Sequence, residues 1–315
     1  MKKALIALAL VAVLVAVVFA AVLFFASSSV SDPSSARCGA PLVVFGEPSR
    51  LADHREVEVQ FTCVGDRQVG TLYLPKRAGR FPAVVYVHGS GETSRWSWDV
   101  PWVQMTVRAG IAFFSYDKRG VGESEGTCCP GDTGHFNLLA ADADGAVNAL
   151  RKRSDINPAR IGFLGTSEAG WVVPLAVARS GDRIAFMALA SGPTVTTHEE
   201  QQWSRLAGEE DDNAPELTKE RRDEITAQLD PSGFDPVPLL EQSTVPGIWV
   251  YGREDRSQPS EKGALILERL RKDMGKDFTA VLFPRAGHGL LDTPPTDPRA
   301  MPTLLAWMEK HTRAG

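Results

Sequence analysis

A chain of 315 residues with 43% hydrophobic and 23% charged side chains can bury a sizeable core, and a single catalytic-sized domain is the expected organisation. Its formal net charge of -5 lacks the basic footprint of a nucleic-acid binder, so that class is set aside. No histidine or second close cysteine pair completes a tetrahedral set among the four cysteines, which leaves no metal site to argue for.

In chain order, Lys2 and Lys3 precede an uninterrupted apolar run of 23 residues, Ala4 to Ala26. At the helical rise this spans roughly 35 Å, enough to cross a bilayer. Its length favours a retained signal anchor over a cleaved signal peptide, whose apolar region is usually about 7 to 15 residues. Small residues at Ser29 and Ser31 would nonetheless suit cleavage before Asp32. In either case the lysines stay inside and the rest of the chain faces outward, exported and either tethered or secreted. Residues 27–37 read as a polar Ser-rich linker, and the folded domain is expected over 38–315. In an exported chain four cysteines allow three complete pairings. Cys38 with Cys63 is the expected bridge; the adjacent Cys128 and Cys129 stand without an explanation.

"VEVQF" and "GTLYL" alternate in the manner of a hairpin. After them come continuous apolar runs, "AVVYV", "IAFFSY", "IGFLG", "AFMALA", "GIWVYG" and "TAVLF", which suit strands buried on both faces. Helical spacing appears between them at 138–153, 260–275 and 303–312. Strand and helix in alternation predict an α/β fold with a mostly parallel sheet flanked by helices. An acidic, helix-like insertion at about 192–245 interrupts the rhythm and would form a cap over the carboxyl ends of the strands.

A serine hydroxyl becomes a nucleophile only beside a base, an orienting acid and donors for the developing oxyanion. In "GFLGTSEAG" the strand ends at Gly165 and a helix begins soon after, so Ser167 occupies a strand-to-helix corner. Such an elbow needs small residues two positions before and after the nucleophile, and Gly165 and Ala169 supply them. Pro174 in the following helix predicts a bend. "VVYVHGSG" ends a strand in a glycine-rich turn, where the backbone N–H of Ser90 would join that of Glu168 as oxyanion donors; His88 reads as structural. Asp255, in "VYGREDRSQP", sits on a post-strand loop suited to an orienting acid, with Glu254 as its rival. Of six histidines, only His288 follows the acid on a loop after a strand.

Serine, acid and histidine in that chain order, each after its own strand, is the arrangement of an α/β-hydrolase triad. From about residue 56 to 312 the chain resembles the α/β-hydrolase superfamily, and within it bacterial serine esterases of the dienelactone hydrolase and acyl thioesterase-like group. The resemblance is carried by "VYVHGSG", "SYDKRGVGESEG", "GFLGTSEAGWVVPLAVA", "GIWVYGREDRSQP" and "AGHGLL". It implies an α/β-hydrolase fold with a helical cap and a catalytic set of Ser167, Asp255 and His288. The Ser90 and Glu168 N–H groups would form the oxyanion hole, and the "YDKRG" turn would be structural. Ala169 stands where a glycine is frequent. The implied activity is cleavage of carboxylic esters or thioesters through an acyl-enzyme, on a small-molecule substrate and without a cofactor. Two alternatives stay open: a serine peptidase or amidase with the same triad, and a non-catalytic binding protein on the same fold.

Overall fold

The computed structural model describes residues 36–96, 100–292 and 294–312. The expected anchor, 1–26, and most of the expected linker lie outside those residues. Among the described residues no helix is long and apolar enough to cross a membrane. Ala36, placed in the linker by its polar neighbours, is buried against the core, so the packed part begins at least two residues before Cys38.

One ten-stranded mixed sheet organises the described residues. Its strands are β1 (Val43–Phe45), β2 (Ser49–Arg50), β3 (His54–Cys63), β4 (Asp66–Pro75), β5 (Phe81–Val87), β6 (Ala112–Tyr116), β7 (Ile156–Thr166), β8 (Met187–Ala190), β9 (Gly247–Gly252) and β10 (Phe278–Phe283). The order runs β1-β3-β4-β6-β5-β7-β8-β9-β10, with β2 paired to β3. The β3–β4 hairpin is antiparallel, as its alternating sequence predicts, and β6 through β10 run parallel. Each continuous apolar run forms one of these parallel strands.

The helices are α1 (Val100–Arg108), α2 (Thr133–Leu150), α3 (Ala169–Ser180), α4 (Thr197–Ala207), α5 (Lys219–Thr226), α6 (Val237–Gln242), α7 (Ser260–Met274) and α8 (Ala300–Thr312). The pleat sends alternate strand residues to opposite faces. Ala83, Val85 and Phe114 pack into one apolar cluster with residues of α2, α3 and α7, whereas Val84, Tyr86 and Phe113 pack into a second with residues of α1 and α8. Strands covered on both faces need apolar residues at every position, which is why these runs do not alternate. The pattern did not reveal β1, β2 or α1. The first two are short edge strands, and α1 shows a narrow apolar face, Trp102, Val103 and Val107.

The chain leaves β5 for β6 on one side and then crosses to β7 on the other. The carboxyl ends of β5 and β7 therefore flank a switch point, where open α/β sheets leave a crevice. The 192–245 insertion forms α4, α5 and α6, and α4 and α5 enclose a small cluster of their own, Trp203, Ala207, Leu217 and Ile225.

The expected Cys38–Cys63 bridge is corrected: both are free thiols, and the disulfide joins Cys128 to Cys129. Cys38 Sγ donates to the Thr62 carbonyl at 3.5 Å. Burial pushes the Cys63 thiol far up, with a hydrogen bond to Cys38 adding to the effect, so it stays protonated rather than becoming a thiolate.

Candidate active site

Ser167 is the residue after β7 and has φ +51°, a left-handed conformation rare for a side chain with a Cβ. The bend is held from both sides: Ser167 N–H donates to the Ala190 carbonyl at 3.1 Å, and Gly170 N–H donates to the Ser167 carbonyl at 2.8 Å. A Cβ on Gly165 would come within 2.5 Å of the Ala169 Cβ, so the two small residues expected around the elbow are in contact. Helix α3 begins at Ala169 and continues through Pro174.

His288 lies on the loop after β10 and brings the sequence-predicted side chains together. Its Nε2 is 3.0 Å from Ser167 Oγ, and its Nδ1 is 2.9 Å from Asp255 Oδ2. Asp255 is fully buried. Its Oδ1 accepts the N–H groups of Ser257 (2.8 Å) and Gln258 (3.2 Å), which fixes the carboxylate plane. Glu254 is exposed, and its N–H donates to Ala286 O. The neighbouring carboxylate is thus the one that meets the imidazole.

A cavity of about 570 Å³ opens over Ser167 and His288, with Ser90 in its wall. The Gly89 N–H is directed to the Tyr86 hydroxyl, so the N–H of Ser90 is the next one available to face the cavity. Glu168 follows Ser167 directly and turns its carboxylate away, into Lys118. His88 is buried, and its Nε2–H donates to the Tyr116 carbonyl. Burial pushes its pKa down to about 3 in spite of that bond. It remains neutral, its Nε2–H engaged with the Tyr116 carbonyl.

Known proteins resemble this chain in part of its sequence and in its fold. A family model described as serine aminopeptidase, S33, matches residues 80–230, just under half of the chain. The uncharacterized protein YfhR of Escherichia coli O157:H7 is 29% identical over 144 residues, covering 44% of this chain and 48% of that protein. The chain spans about half the length, or less, of the curated relatives it matches. Acetyl xylan esterase 1 from Thermoanaerobacterium sp. JW/SL YS485 superposes with a TM-score of 0.61 at 18% identity, over 90% of this chain and 92% of the esterase. The acylaminoacyl peptidase of Pyrococcus horikoshii gives 0.64 at 17%, over 84% of this chain and 42% of that one. At such identities the likeness is one of fold.

The chain has the α/β-hydrolase fold.

On this fold the cap reaches the candidate site through charge as well as packing. Burial disfavours a protonated His288, but Asp255, with Glu209 and Glu200 adding to it, outweighs burial and raises the imidazole pKa above its ordinary 6.5. Glu200, on α4, is itself pushed up to about 7 by burial and by the negative charge of Glu209. Glu209 accepts hydrogen bonds from Ser204 Oγ at 2.5 Å and from Ser257 Oγ, beside the acid loop. The acidic insertion therefore packs against the loop that carries Asp255.

Two residues that meet the candidate site were not singled out by sequence reasoning. Ser191, at φ +49°, donates from Oγ to the His288 carbonyl at 2.6 Å and so fixes the histidine loop. The available signal was a polar residue opening a Ser-Gly-Pro turn directly after the buried strand β8. Tyr86, in a buried strand, pairs its hydroxyl with Thr166 Oγ1 at 2.7 Å at the cavity wall; only the polar end of an otherwise apolar run hinted at it.

Proposed function

We propose that the protein is a serine hydrolase that cleaves carboxylic esters through an acyl-enzyme. The reading is carried by the unbroken Ser167–His288–Asp255 hydrogen-bonded series, which opens onto the cavity. In this reading His288 Nε2 takes the proton from Ser167 Oγ as the oxygen attacks the acyl carbon. Asp255 holds Nδ1–H and stabilises the imidazolium that results. The N–H groups of Ser90 and Glu168 receive the oxyanion, and collapse of the tetrahedral species expels the alkoxide, which the imidazolium protonates. A water molecule, deprotonated by His288, then attacks the acyl-enzyme, releases the carboxylic acid and restores Ser167. Thioesters would follow the same course with a thiolate leaving group.

The S33 description of residues 80–230 supports a second reading, an aminopeptidase or amidase with the same three residues and an amine as leaving group. One experiment addresses both. A fluorescent phosphonate is expected to label the native chain and not Ser167→Ala, and p-nitrophenyl acetate is expected to turn over faster than an aminoacyl p-nitroanilide. Labelling that survives in Ser167→Ala would overturn the choice of nucleophile, and a preference for the anilide would favour the amidase. The lysine-flanked apolar run at 4–26 supports export with the hydrolase outside the cytoplasm, tethered if the run is retained. The N-terminal residue of the exported product tests that.

A further inference from the structure

Lys118 belongs to the "YDKRG" turn, which the sequence resemblance treats as structural. Its side chain is 1% exposed. An ammonium has three donors, and here three acceptors surround it: Gly89 O at 2.8 Å, Gly91 O at 3.2 Å and Glu168 Oε1 at 2.7 Å. The first two lie on the loop after β5, and the third belongs to the residue after Ser167. One buried cation thus touches both segments from which the oxyanion donors would come.

The geometry of the peptide unit turns that contact into an aim. In a trans peptide the carbonyl of one residue and the N–H of the next point in opposite directions. Gly89 C=O and Ser90 N–H belong to one such unit. An ammonium that holds Gly89 O on one side therefore directs Ser90 N–H to the other, and Ser90 lines the cavity beside Ser167. The same turn fixes the loop at other points: Lys118 N–H donates to Thr93 O at 3.1 Å, His88 to Tyr116 O, and Arg95 N–H to Asp117 Oδ1 at 2.7 Å.

We propose that Lys118 is a positioning residue that holds the two N–H donors of the oxyanion hole in register by tying the Gly89–Gly91 carbonyls to the side chain of Glu168. The inference rests on the esterase reading above. Burying two opposite charges costs several kcal/mol each, and an apolar pair could fill the same volume at no loss of stability. A planar guanidinium could not converge on three acceptors from three directions as an ammonium does. A device that aims dipoles at a developing charge gives both features a purpose.

The test compares Lys118→Met, Glu168→Gln and Ser167→Ala with the native chain on p-nitrophenyl acetate, with circular dichroism establishing the fold and with inhibition by an alkyl boronic acid. Lys118→Met is expected to lower kcat about 10²-fold or more, the effect of losing an oxyanion donor, with KM within about threefold and boronate affinity falling in step with kcat. Glu168→Gln keeps the lysine on the two carbonyls and weakens only its tie to the elbow; it should lower kcat about tenfold with the same split. A folded Lys118→Met with native kcat, or one that loses KM and kcat alike, would overturn the proposal. Should Lys118→Met fail to fold, native kcat in Glu168→Gln overturns it instead. Hydrolysis persisting in Ser167→Ala would sink the nucleophile reading, whereas its loss there beside a native rate in Lys118→Met would sink only the role of the lysine.

Discussion

The indole Nε1–H of Trp203, on the cap helix α4, donates to the backbone carbonyl of Asp255 at 3.1 Å. Both residues are almost fully buried, Trp203 at 2% and Asp255 at 0%. The cap is therefore tied to the loop that presents the carboxylate to His288. Arg256, next along that loop, reinforces the tie by donating to Ala207 O and to Pro215 O.

Replacing Trp203 separates the two contributions of that contact. Trp203→Phe keeps a ring in the cap cluster and removes the hydrogen bond to Asp255 O, at an expected cost of about 1 kcal/mol. Trp203→Ala also empties the space shared with Leu217 and Ile225, at an expected cost of about 3–5 kcal/mol. Urea unfolding followed by fluorescence measures both. Equal losses in the two variants would mean that the apolar contact counts for little.

On the proposed mechanism, the acid side of the pH–rate profile should report His288. A base must be neutral to accept the Ser167 proton, so activity is lost as pH falls through the imidazole pKa, which stands above 6.5. The acid limb is therefore expected above pH 6.5. In Asp255→Asn burial persists while the main influence raising the pKa is gone, so the limb moves to lower pH. The rate at the plateau should fall about 10³- to 10⁴-fold as the imidazole loses its orienting acid. A limb that stays in place in Asp255→Asn would show that another carboxylate sets the pKa, with Glu209 and Glu200 the nearest candidates.

Much of this was legible in the sequence because two different physical signals coincided. Buried parallel strands demand long apolar runs, and "AVVYV", "IAFFSY" and "IGFLG" supply them. The elbow demands small residues beside a serine, and Gly165 and Ala169 stand there. What escaped was set by contacts between distant segments. The sequence marks Lys118 only as part of a structural turn, with no sign that the loop after β5 and the elbow enclose it, and it does not single out Ser191, whose role depends on the histidine loop lying over it. The cysteines were misread for a related reason: proximity of Cys38 and Cys63 was anticipated, but the structure leaves both as thiols.

Acid stability should carry the mark of His88. Its folded pKa, about 3, lies below the 6.5 of the unfolded chain. Below 6.5 the unfolded state binds a proton that the folded state refuses, so stability is complete above pH 6.5 and declines as pH falls towards 3. The slope attributable to this residue is at most about 1.4 kcal/mol per pH unit. His135, pushed down to about 4 by burial first and by Lys118 second, adds to it over a similar range. His88→Asn should flatten the dependence of unfolding free energy on pH between 4 and 6. A slope identical to that of the native chain would place the proton uptake elsewhere.

Gly170 offers the sharpest test of how the elbow is packed. A Cβ there would lie within 2.5 Å of both Gly192 C and Pro193 O, which are backbone atoms on the segment leading from β8 to the cap. Unlike the end of a flexible side chain, that backbone cannot swing aside, because Ser191 N–H is bonded to Val250 O at 2.9 Å and Ser191 Oγ to His288 O. Gly170→Ala must therefore displace either α3, which starts two residues after Ser167, or the segment that fixes His288. The expected cost is about 1–3 kcal/mol, the range for overpacking, and kcat should fall more steeply than stability because either displacement changes the Ser167–His288 distance. Gly181→Ala is the control: it lies at the other end of α3 with open space around it, though its φ of +55° makes it strained. If Gly170→Ala loses no more activity than this distant variant, the close approach at residues 192–193 has no part in holding the elbow.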